Sequence, residues 1–171
     1  MLKILMERIE SLKGKKMSEN LLFKTSLNKA MAQCSRREFC VSDIRTKLES
    51  WSVVENDTQR IISELIKENF INEERFAKAF VRDKFIYNKW GKIKLASHLK
   101  VKMIPGNIIK LALDSIDNEL YIKTLNRLIT SHKRTVKAKN KYDLKAKLLR
   151  YGLSKGFESY LLYEILNEIE D

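Results

Sequence analysis

The chain has 171 residues, a formal charge of +12 and 44% aliphatic and aromatic residues, so it fits one domain or a short array of smaller units with its own core. Five Gly and one Pro punctuate few turns, which favours long helices over many short strands, and Val/Ile/Thr alternation is nearly absent. No apolar run approaches the roughly 18 residues of a membrane span, and Cys34 and Cys40 match neither a disulfide framework nor a zinc spacing.

The start, MLKILMERIESLKGKK, carries acids inside its apolar part and no small-residue cleavage site, so it is not a secretion signal. Leu2, Leu5, Ile9 and Leu12 share one face of a short amphipathic helix that ends in a basic GKK joint. Met17 is a second candidate start. Residues 1–20 are set apart as an extension. The two cysteines read as free thiols in a reducing cytosol, so the expected location is cytoplasmic.

From there the chain repeats itself. Ile44-x-x-x-Leu48, Leu95-x-x-x-Leu99 and Leu149-x-x-x-Leu153 are anchors 51 and 54 residues apart, each followed by a further apolar helical run. Phe39 takes the place of Trp90, and Cys40 that of Gly91. The spacing predicts an all-α protein of three tandem three-helix repeats. Repeat 1 occupies 21–71 with helices at 22–35, 43–50 and 57–68. Repeat 2 occupies 72–118 with helices at 73–90, 92–102 and 106–117. Repeat 3 occupies 119–171 with helices at 119–132, 143–153 and 157–169. Stacked repeats would bury a shared core and form an elongated, curved array.

Local signals agree. Ser42-Asp43 is expected to cap one helix and Asp57 to open another. Asn69 suits the position after a helix end. Asn72 is a good N-cap, Glu73 and Glu74 suit a first turn, and Ile71 with Phe76 forms a hydrophobic staple. Pro105-Gly106 marks a sharp turn, and SHKRTVKAKNK (131–141) reads as a basic loop or frayed helix end.

The charge is unevenly placed. Residues 21–72 hold eight Lys/Arg and seven Asp/Glu; 73–118 hold ten and five; 119–157 hold eleven and two; the last fourteen hold five acids and no base. A basic middle and rear implies an anionic partner. Within NEERFAKAFVRDKFIYNKWGKIKLASHL, Phe76, Phe80 and Phe85 fall on an apolar stripe and are expected in the core. Arg75, Arg82 and Lys89 recur at steps of seven, with Lys78 between them, along another face. Base stacking needs aromatics and cations on the same wet face, and this stretch separates them. Trp90 beside Gly91 either plugs a helix junction or anchors a partner. The cationic stripe, continued by Lys92 and Lys94, is either a solvated face or an anion-binding one. Secondary basic candidates are Arg36 and Arg37, and Lys133, Arg134, Lys137, Lys139 and Lys141.

Catalytic patterns are missing. There is no GxxxxGK[ST], GxGxxG, HExxH or nucleophile elbow, and His98 and His132 lie apart with no spaced carboxylate or Cys. His98 is expected to face outward. The chain is read as a non-enzyme with no cofactor, no metal, no small-molecule ligand and no membrane partner.

FINEERFAKAFVRDKF (70–85) and the following NKWGKIKLASHLK resemble the RecX regulatory proteins, most specifically over 69–113. The likeness is looser over 30–65 and 145–167 and excludes the first twenty residues. It departs at Asn69, where the family often has Gly, and at SKGF, which keeps only Gly156-Phe157. The resemblance implies tandem three-helix units and a partner, the RecA filament on single-stranded DNA. It implies lodging in the filament groove, where the protein would limit strand exchange, ATP hydrolysis and coprotease activity. It carries over to Arg75, Arg82, Trp90, Gly91, Lys92 and Lys94. A stand-alone nucleic-acid-binding protein with non-specific phosphate contacts is the alternative.

Overall fold

The computed structural model describes residues 20–168. The amphipathic segment expected at 2–12 lies outside them. Every regular element among the described residues is helical. After α1 (20–34) come α2 (Val41–Ser50), α3 (Glu55–Lys67), α4 (Glu73–Asn88) and α5 (Lys92–Val101). They are followed by α6 (Gly106–Asp114), α7 (Asn118–Lys133), α8 (Lys141–Lys155) and α9 (Ser159–Glu168). One compact unit ends at Glu73 and a second begins at Glu74.

A turn recurs along the chain. The helices α2, α5 and α8 each run into a left-handed residue: Ser52 (φ 60°), Met103 (φ 60°) and Gly156 (φ 84°). The next N–H, of Val53, Ile104 or Phe157, returns to the carbonyl of Leu48, Leu99 or Gly152 at 3.1, 3.1 and 3.2 Å. These bonds satisfy carbonyls that a helix end leaves orphaned. They also set the repeat register, and they correct the third anchor. Gly152, not Leu153, corresponds to Leu48 and Leu99, and Leu148, not Leu149, corresponds to Ile44 and Leu95. Leu148 is fully buried whereas Leu153 is 45% exposed. The sequence pattern missed this because Gly152 has no apolar side chain to register. A Cβ there would meet the Leu162 side chain, which fills the space.

In the first unit Ile44, Leu48, Ile61 and Leu65 are fully buried, and Phe23, Leu27, Trp51 and Phe70 pack around them. The helix α2 starts at Val41, two residues before the expected start at 43 and ahead of the expected Ser42-Asp43 cap, with extended Cys40 at its N-cap and no side-chain cap bond. The carboxylate of Glu73 accepts from the Val41 N–H instead; burial nevertheless raises the Glu73 pKa above its usual value. The helix α3 starts at Glu55, so Asp57 lies inside its first turn and pairs with Arg60 at 2.9 Å. Asn69 takes the expected left-handed conformation (φ 57°).

In the second unit α5 packs on α6, and α8 packs on both α7 and α9. Val81, Leu95, Leu99, Leu125, Ile129, Leu148, Phe157 and Leu162 form its buried centre. The N-cap residue of α5, Gly91, makes no side-chain cap bond. Its donors go to the later part of the chain: Gly91 N–H to Lys155 O at 2.8 Å, Ile93 N–H to Gly156 O at 3.0 Å, and Lys92 N–H to the Tyr121 hydroxyl at 2.8 Å. The end of α8 thus meets the start of α5, which sets the negative end of one helix dipole against the positive end of the other.

Candidate nucleoprotein-binding surfaces

The first surface is built on α4, the turn after it and α5. Phe76 and Phe85 are buried as expected. Phe80 is only half-buried, stacked on Phe76 with ring centres 6.0 Å apart. Its outer edge meets Trp90 at 6.3 Å in a T-shaped pair, and Trp90 in turn lies 4.5 Å from the exposed His98 ring. Trp90 is therefore a half-buried hub rather than a free anchor. Lys84 and Lys94 sit over its ring at 5.5 and 5.0 Å. Aromatics and cations meet here after all, and Lys84, outside the expected set, is one of them. A helical wheel could not place it there, because Trp90 returns to α4 only through the turn.

That turn follows from hydrogen bonding. Trp90 N–H reaches back to Lys84 O at 3.2 Å, while Gly91 is drawn to Lys155. The chain leaves the helix at Lys89, which takes a left-handed conformation (φ 55°). Lys89 therefore sits beyond α4 rather than on its seven-residue stripe, and its Nζ donates to Ile86 O at 2.6 Å. Gly91 is required by space: an added Cβ would overlap the backbone of Gly156 and Phe157.

Most cations of this surface are engaged. Lys78 pairs with Glu74 at 2.6 Å and Arg82 with Asp83 at 3.1 Å, both exposed pairs worth about 0–1 kcal/mol. Lys92 Nζ bonds Asn118 at 3.3 Å and covers the Tyr121 ring, and Lys94 Nζ bonds Ser154 O at 3.2 Å. Arg75 is half-buried and engaged. The Tyr121 hydroxyl donates to Glu158 at 2.6 Å. Burial, and then that carboxylate, push its pKa far above the usual phenol range, so it stays a donor.

The second surface is the loop between α7 and α8. Asn140 caps α8 by accepting from Asp143 N–H at 2.9 Å. Asp143 accepts from Lys139 N–H at 2.9 Å and Lys147 Nζ at 2.7 Å, and Lys147 also donates to Lys137 O at 2.8 Å. These contacts hold the Asp143 carboxyl below its usual range, with the Lys147 hydrogen bond the largest cause. Lys133, Arg134, Lys137, Lys139 and Lys141 are all exposed. In the first unit Arg36 and Arg37 are exposed too, and Arg37 lies over the Phe39 ring at 4.4 Å.

Among the described residues no group of three His, Cys, Asp or Glu is placed to hold a metal, and no helix is long and apolar enough to cross a membrane. A groove between α1 and α3 is lined by Phe23, Leu27, Asn56, Gln59, Arg60, Ser63 and Glu64.

The family description "RecX, second three-helix domain" matches residues 72–113, the segment that builds the first surface. The regulatory protein RecX of Clostridium acetobutylicum is 30% identical over 131 residues, covering 74% of this chain and 60% of that protein. The regulatory protein RecX of Lactobacillus johnsonii is 26% identical, covering 85% of this chain and 54% of its own length. The chain thus spans little more than half the length of these curated relatives. A crystal structure of regulatory protein RecX superposes with a TM-score of 0.81 at 20% identity, covering 92% of this chain and 77% of that one. The crystal structure of RecX from Lactobacillus salivarius gives 0.74 at 22%, covering 87% and 97%. At such identities the two structures establish the fold alone.

Proposed function

This chain belongs to the RecX family, and from that premise we propose that it regulates the RecA recombinase by binding the RecA filament on single-stranded DNA. The effect proposed is inhibition of strand exchange, ATP hydrolysis and coprotease activity. It acts by occupying the filament, not by catalysis, and in the cytoplasm, where RecA works. We read residues 21–71, 72–118 and 119–171 as three repeats of one unit, of which the second carries the principal contact. The supporting observation is that the family match falls on the segment carrying the α4–α5 surface.

On this reading Arg75, Lys78, Arg82, Lys89, Trp90, Lys92 and Lys94 form the face toward the filament. Arg82 offers most: its side chain is 68% exposed, and its one ion pair is a surface pair that a better anion can displace. Guanidinium forks suit carboxylates and phosphates alike. Trp90 gives the face a rigid aromatic platform with Lys84 and Lys94 attached. A filament repeats its sites, so a modest affinity per molecule suffices to coat it.

The test is RecA-driven strand exchange on single-stranded DNA with increasing amounts of this protein. Exchange is expected to slow as the filament fills. Unaltered exchange at a clear molar excess over RecA would sink the proposal.

A further inference from the structure

Tyr142 is 86% exposed, the most exposed of the large apolar and aromatic residues described. It stands in the first turn of α8, directly after the basic loop. Lys133, Arg134, Lys137 and Lys139 are exposed and have no side-chain partner among the described residues. The loop is nevertheless ordered. Asn140, Asp143 and Lys147 tie its backbone down, so its free cations are held in place without being neutralised. Asp143, the one acid between 120 and 157, is spent on that scaffold. A solvated aromatic ring that follows several solvated cations closely in the chain offers what a single strand needs: charges for the phosphates and a ring face for a base.

We propose that the α7–α8 loop, with Tyr142 beside it, is a contact site for single-stranded nucleic acid that works without a protein partner. The four free cations take backbone phosphates, and the Tyr142 ring takes an unstacked base. The inference goes beyond the filament reading, because it concerns the protein alone. An acidic protein surface would use the cations and leave Tyr142 without a role. A duplex would hide the base faces that the ring needs.

Binding of the full chain to a labelled oligothymidylate, followed by anisotropy across a salt series, tests this directly. Tyr142→Ala is expected to weaken binding roughly five- to hundredfold, with its salt dependence unchanged. The pair Lys137→Glu and Lys139→Glu is expected to weaken binding and flatten the log–log salt slope by about 0.7 for each phosphate no longer neutralised. All three side chains are exposed, so the helical circular dichroism should match the parent's. Unchanged affinity in Tyr142→Ala, or a duplex bound as tightly as the single strand, overturns the base contact. An unchanged affinity and slope in the double reversal overturns the site. No recombinase is present, so this test and the strand-exchange test fail independently.

Discussion

The two cationic surfaces of the second unit are written in similar letters and built differently. On α4 and α5 the cations are held by neighbours: Lys78 by Glu74, Arg82 by Asp83, Lys84 and Lys94 by the Trp90 ring, Lys92 by Asn118 and Tyr121. In the α7–α8 loop the partners go to the backbone, and the charges of Lys133, Arg134, Lys137 and Lys139 stay open. A count of Lys and Arg does not tell these apart. A held cation keeps a fixed geometry and must exchange one partner for another on binding, which favours shape-specific contact. An open cation sheds only counterions and water, which favours any polyanion at low salt.

The largest effect is expected from removing the support of the held surface alone. Gly91→Ala places a methyl group against the backbone at 156 and 157, which cannot yield as a side chain does. It should cost about 3 kcal/mol or more and lower the thermal midpoint. Hydrogen exchange should show the Lys92 and Ile93 amides losing protection while that of Lys139 keeps it. Gly106→Ala is the control: nothing lies within 4 Å of an added Cβ there. A tolerated Gly91→Ala would disprove the close approach.

Next in size is Tyr121→Phe. It leaves the Lys92 N–H and the Glu158 carboxylate without their shared hydroxyl, a loss of about 1–3 kcal/mol. The wild-type phenol, its folded pKa raised, contributes stability present below its unfolded pKa and lost as pH rises above about 10. Alkaline melts of Tyr121→Phe should lack that limb. Equal alkaline sensitivity of the two proteins would exclude Tyr121 as its source.

Much of this was legible in the sequence, and the misses share a cause. Helix positions, the three-fold repeat and the left-handed Asn69 follow from apolar spacing and turn chemistry. The third anchor escaped because Gly152 gives no hydrophobic signal where Leu162 supplies the side chain. Phe80, Lys84 and Trp90 were separated by a helical wheel, although a turn at Lys89 brings them together. The missing cap of α5 could not be read locally either, since its donors are met by Tyr121, Lys155 and Gly156. The open charge of the second loop needed the knowledge that Asp143 and Lys147 serve the backbone.

The smallest effect sharpens the other side. Lys147→Met removes a partly exposed pair with Asp143 and the bond to Lys137 O, with a stability change within about 1 kcal/mol. Its signature is local: the Lys139 amide should exchange faster. Acid should do the same to the wild type. Asp143 has a lowered folded pKa, so its contribution is present above the unfolded carboxyl pKa and fades as pH falls below about 4. A Lys139 amide indifferent to both changes would show that the loop is ordered by something else.

On the proposed function, the held surface acts on the recombinase filament. ATP hydrolysis by RecA filaments preformed on single-stranded DNA, titrated with wild-type protein and with the Arg82→Glu/Lys89→Glu variant, tests it most directly. The wild type should depress hydrolysis in a saturable way. The variant, with its helical circular dichroism intact, should need a markedly higher concentration for the same effect. Superimposable titrations, or hydrolysis untouched by either protein at molar excess, would contradict it.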